Sequence, residues 1–138
     1  MEKKIAHSPG KRKRSIARAT IMDGSGSIRI NSVPLDVFEP LVAREKIRLP
    51  LILASEFIDL KKIDIDANVL GGGVMGRADA IANAISRALV EWSSSDELLT
   101  RYHQYDRTLI AGDHRLTEPH KPSQSSKGPR HRRQKSYR

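Results

Sequence analysis

Gly71-Gly72-Gly73-Val74-Met75-Gly76 has the spacing G-x-G-x-x-G, set after an alternating stretch and before a helical one. Glycines there let a phosphate approach the free N–H groups at a helix start, where the helix dipole favours an anion. Arg77 adds a cation beside them. Such a turn serves dinucleotide binding or contact with a nucleic-acid phosphate, and it can also be a tight strand-to-helix turn with no ligand. The dinucleotide reading meets two objections. A dinucleotide-binding strand is central and parallel and so apolar on both faces, whereas Lys62, Asp64, Asp66 and Asn68 take every other position here. No run of strand–helix units follows to complete the site, and Glu91 and Asp96 are only loosely spaced for a ribose contact. On the phosphate reading, a side chain at Gly72 weakens binding before it disturbs the fold; on the turn reading, Gly72 holds a positive φ and the fold suffers first.

Other candidates for chemistry are sparse. Asp64 and Asp66 share a strand face, which a solvated acidic surface explains without catalysis. His7, His103, His114, His120 and His131 show no paired metal-ligand spacing, so no metal site is expected. No serine sits in a nucleophile elbow. With no cysteine there is no disulfide framework, thiolate site or cysteine nucleophile. The expectation is a protein that is not an enzyme and carries no cofactor.

The charge is more informative. Net charge is +9, but residues 1–20 carry +6 and residues 119–138 carry +7, on a middle of −4. Lys and Arg concentrated in this way gain affinity for a polyanion by releasing its condensed counterions. Nucleic acid is favoured over an anionic membrane because no amphipathic helix accompanies the basic runs. No apolar run reaches the roughly 20 residues that span a bilayer, and the basic start leads into polar residues. A soluble cytoplasmic protein is expected. Candidate RNA-binding residues are Lys11, Arg12, Lys13, Arg14, Arg18, Arg29, Gly71, Gly72, Gly73, Arg77, Arg107, Arg115, Lys121, Lys127, Arg130, Arg132 and Arg133.

The elements that must position these groups fit one domain, since 138 residues at 38% hydrophobic bury one modest core. Residues 14–22 and 27–31 alternate around Asp23-Gly24-Ser25-Gly26 and predict a β-hairpin whose open face carries Arg14, Arg18 and Arg29. Pro40 and Pro50 predict two short helices, near 40–47 and 50–58. Residues 62–69 are the cleanest strand, with Ile63, Ile65, Ala67 and Val69 on one face. A helix from about Met75 to Trp92 buries Ala78, Ile81, Ile85, Ala88, Leu89 and Trp92 against the sheet. Ser94 and Glu97 have capping-box spacing for a last helix to about Tyr105. From Pro119 onward the only large apolar side chain is Tyr137, so the tail is expected to order only on a partner. The expected division is a basic segment at 1–13, an α/β body at 14–105 and an extended basic tail at 106–138.

In five stretches the chain closely resembles the ninth small-subunit ribosomal protein family in its archaeal and eukaryotic form. They are GKRKRSIARATI at 10–21, INSVPLDV at 30–37, GGGVMGRADAIANAISRAL at 71–89, YDRTLIAGDHRLTEPHKP at 105–122 and QKSYR at 134–138. The resemblance implies an α+β fold, a two-layer sandwich of a small mixed sheet and helices with a left-handed βαβ crossover. It implies a place in the head of the small subunit, on the three-prime major domain of its RNA and beside neighbouring head proteins. It also implies a C-terminal tail that reaches peptidyl-site tRNA through Lys135, Ser136, Tyr137 and Arg138. Arg77 stands where the family usually has glutamine, Ala82 where it has arginine, and residues 123–129 replace a glycine-rich stretch.

Overall fold

A computed structural model describes residues 4–121. Five strands, β1 (Ile5–Arg12), β2 (Ser15–Asp23), β3 (Ile28–Ile30), β4 (Val33–Pro34) and β5 (Ile63–Leu70), form one sheet in the order β1-β2-β5-β3-β4. β2 runs antiparallel to both β1 and β5, while β3 runs parallel to β5. Among the described residues four α-helices follow or interrupt them: α1 (Leu41–Ala54), α2 (Val74–Ser93), α3 (Asp96–Tyr105) and α4 (Thr108–Ala111). The α/β sandwich expected from the resemblance is therefore the architecture found, and β3–α1–β5 is its crossover unit.

Alternation decides the layering. Ala17, Ala19 and Ile21 of β2 and Ile63, Ile65, Ala67 and Val69 of β5 are buried, and their neighbours point outward. One sheet face thus packs on the helices; the opposite face is uncovered among the described residues. The expected β2–β3 hairpin is not formed. β5 is inserted between those strands, because its apolar face can then be flanked on both sides by hydrogen-bonded neighbours.

The basic N-terminal stretch is also part of the body. Residues 5–12, expected ahead of the domain, form its edge strand, joined to β2 through the two-residue turn Lys13-Arg14. Its inward residues are Ala6, Ser8 and Gly10, small because α2 lies directly on them. Ser8 Oγ donates to Glu91 at 3.0 Å and Arg87 donates to the Pro9 carbonyl at 3.1 Å. Lys4 stands 4.9 Å over the Trp92 ring. Each contact ties β1 to α2.

α1 is one helix rather than two. Ala43, Ile47, Leu51 and Ala54 form a single buried stripe across Pro50. Pro50 has no N–H to bond back along the helix, but its ring is buried and its carbonyl accepts the Tyr102 hydroxyl at 2.8 Å. Burial of the Tyr102 ring pushes its hydroxyl pKa up. α3 starts one residue later than the capping-box spacing places it. Ser95 is the cap, accepting from the Leu98 N–H at 3.4 Å, while Ser94 closes α2 in the left-handed region at φ +52°. Beyond Tyr105 the chain stays on the body through α4, where Leu109 is buried.

Candidate nucleic-acid interface

The glycine turn docks against the β1–β2 turn. Ser15 is fully buried, and its hydroxyl donates to the Gly71 carbonyl at 3.1 Å; Arg77 Nε donates to the same oxygen at 2.9 Å. Gly71 and Gly72 have φ of +75° and +67°. A β-carbon at Gly71 would lie 2.6 Å from the Arg14 carbonyl oxygen, and one at Gly72 would lie 2.0 Å from Ser15 Oγ. Both glycines therefore answer an internal need, so the expectation that a side chain at Gly72 spares the fold is corrected. Gly73 differs. Its φ is −93°, it caps α2, and a β-carbon there would meet nothing within 4 Å. The first-turn N–H groups of α2, from Val74 to Gly76, have no helix carbonyl ahead of them.

A groove of about 780 Å³ runs beside the turn, lined by Arg12, Lys13, Arg14, Gly72, Gly73 and Met75 among others. Lys13 and Arg14 are exposed on one wall, and Lys11 is exposed near the end of β1. Arg18 and Arg29 are exposed on the uncovered sheet face, opposite Asn68 and Asp66 in register. Among the described residues, no carboxylate lies within 4 Å of Lys11, Lys13, Arg14, Arg18 or Arg29. These five cations are available to an outside anion.

Two other expected cations are already engaged. The Arg12 side chain is 17% exposed and lies between Asp79 at 3.8 Å and Asp113 at 3.3 Å. The Arg115 guanidinium grips Asp113 with contacts of 2.6 to 3.0 Å. Arg115 holds the Asp113 carboxyl well below the usual carboxylate range, first through those side-chain bonds and then through its own backbone N–H. Arg107 and Lys121 are exposed. Lys127, Arg130, Arg132, Arg133, Lys135, Ser136, Tyr137 and Arg138 lie outside the described residues.

Sequence reading did not single out Asp79, Asn83 or Asp113. Asn83 is buried, and its amide donates to the carbonyls of Leu109 at 2.8 Å and Thr108 at 3.2 Å. A buried amide in an apolar helix stripe was the available signal for a fixed partner. Asp64 is explained structurally: its carboxylate accepts the Ser27 and Ser25 N–H groups at 2.8 and 2.9 Å, which lowers its pKa and pins the β2–β3 connection. Among the described residues no three His, Asp or Glu side chains converge to hold a metal ion. No helix there is long and apolar enough to cross a membrane.

A one-faced sheet with a cation-flanked glycine turn is the arrangement of a structural module, with a surface suited to a polyanion. The chain belongs to the ribosomal protein S9/S16 family, whose pattern matches residues 10–138. It is 51% identical over 135 residues to the small ribosomal subunit protein uS9 of Methanococcus maripaludis strain C7, covering 98% of this chain and 99% of that one. It matches the small ribosomal subunit protein uS9 of Methanococcus vannielii to the same extent. The resemblance carried by the five stretches is thereby confirmed, in its archaeal form. A ribosomal protein of this family is a structural component and not an enzyme.

Proposed function

We propose that this chain is a structural constituent of the small ribosomal subunit in the cytoplasm, bound to the RNA of the subunit head with its C-terminal tail reaching peptidyl-site tRNA. The observation that carries the RNA reading is the set of five exposed cations, Lys11, Lys13, Arg14, Arg18 and Arg29, that have no carboxylate partner among the described residues, around the glycine turn and a sheet face that those residues leave uncovered. Lys13 and Arg14 flank the open side of Gly73, where a backbone phosphate can meet first-turn N–H groups and a guanidinium together. The relatives' name supports the small subunit. The resemblance supports the head, the three-prime major domain of the RNA and contact with neighbouring head proteins. It also supports the tail reading, in which seven cations and no acid over residues 119–138 let surrounding phosphates offset the entropy of ordering the chain.

The test is binding of the full chain to a three-prime major domain RNA fragment across a salt series. If about six cations neutralise phosphates, affinity falls roughly a thousandfold between 50 and 200 mM salt. Reversing Lys13 and Arg14 to glutamate lowers both affinity and the salt slope. A flat salt response, or equal affinity for duplex DNA, overturns the reading.

A further inference from the structure

We propose that Asp113 is a positioning residue for the C-terminal segment, fixing the point and direction at which that segment leaves the body. The proposal rests on the reading above, in which the segment reaches RNA and tRNA.

Five charges of alternating sign run in a chain across four parts of the fold. Lys46 of α1 meets Asp79 of α2; Asp79 meets Arg12 at the end of β1; Arg12 meets Asp113 after α4; Asp113 meets Arg115. Asp113 is the last link of this charge chain whose side chain is mostly buried. Its side chain is only 12% exposed, against 73% for Arg115. Its backbone forms a parallel β-bridge with Arg12, and Arg12 Nη1 donates to the Arg115 carbonyl at 3.3 Å.

The approach to Asp113 is fixed as well. Asn83 of α2 holds the carbonyls of Thr108 and Leu109, and Gly112 turns the chain at φ +74°. From Arg115 to Lys121 every residue is exposed. The chain is thus held through Asp113 to the Arg115 carbonyl, and the residues that follow are exposed. Charge points the same way. A carboxylate beside RNA repels phosphate, yet Asp113 sits where a basic end begins. Two arginines neutralise it, so it can act as an internal anchor while the pair keeps a net positive charge outward. The tail then starts from a set place and spends no binding free energy on finding it.

The experiment uses the full chain carrying Asp113→Ala or Asp113→Asn. In the free protein, amide exchange at Asp113 to Arg115 rises at least about tenfold in D113A while β1–β2 amides keep their protection. D113N, which keeps an acceptor for the Arg115 N–H but loses the charge, falls between. On small subunits, an iron chelate at Thr117→Cys cleaves a narrow set of head RNA positions, and adding D113A spreads the cleavage over a wider set at equal occupancy. Unchanged exchange with an unchanged cleavage pattern overturns the proposal. Absence of head RNA cleavage even with Asp113 intact overturns the RNA reading instead, and the exchange result still decides the anchor. If D113A fails to fold, Arg115→Gln, at an exposed side chain, gives the same comparison.

Discussion

Gly10 of β1 lies against Ala80 of α2 so closely that a β-carbon on the glycine would sit 2.2 Å from the Ala80 carbonyl oxygen. The obstacle is helix backbone, which cannot rotate aside. Gly10→Ala is therefore expected to push β1 off α2 and cost about 3 kcal/mol, seen as a fall in thermal midpoint on the order of 10 °C. A melt unchanged within about 2 °C would show that this interface is looser than the contact implies.

The glycine turn separates fold from binding. Gly72→Val must place a branched residue at φ +67° against Ser15 Oγ, and it is expected to destabilise by roughly 2 kcal/mol or more. Gly73→Ala meets open space at φ −93° and is expected to leave the melt within about 0.5 kcal/mol, while its methyl narrows the approach to the α2 amides and weakens RNA binding. Melting curves beside RNA titrations distinguish them. Equal RNA affinity for the parent chain and Gly73→Ala would remove the turn from the interface.

Acid sensitivity should centre on Asp113 and Asp64. Both carboxyls have folded pKa values lowered by hydrogen bonds, so the unfolded chain takes up protons first as pH falls. Their contribution is complete above the ordinary aspartate value of about 3.9 and is lost as pH drops below it through the folded values. Urea midpoints should change little between pH 6 and 4 and fall at pH 3, and D113N should flatten that fall. An identical acid profile in D113N would mean that the Arg115 pairing gives no net stability.

For the tail, deletion of Lys135 to Arg138 is expected to leave the protein on small subunits and to speed tRNA dissociation from the peptidyl site. The measurement is tRNA release from programmed subunits whose content of the shortened chain has been verified. An unchanged rate would restrict the tail to RNA packing.

Particular residues show how far sequence carried. β5 was legible because Ile63, Ile65, Ala67 and Val69 alternate with polar neighbours, and α2 because its apolar positions recur at helical spacing. β1 was not, since Ala6, Ser8 and Gly10 are too small to stand out as an apolar face; their size answers to α2, far along the chain. The hairpin error has a similar source. The Asp23–Gly26 turn looks alike whether β2 pairs with β3 or makes room for β5. At the interface, the cations were readable as types, but the engagement of Arg12 depends on Asp79 and Asp113, which only folding brings together. The buried stripe across Pro50 was visible in the spacing; the proline outweighed it.

Placing β5 between β2 and β3 also orders events as the chain is made. β2 can pair with β1 early, but its other edge must wait for residues 63–70, and the small-residue face of β1 stays open until α2 has been synthesised to Ser93. Contacts this far apart close late, because the intervening chain must be looped before they form. For roughly the first two thirds of synthesis, then, the nascent protein presents a basic N-terminal hairpin with an unprotected flank. That hairpin can meet RNA before it has a body to stand on.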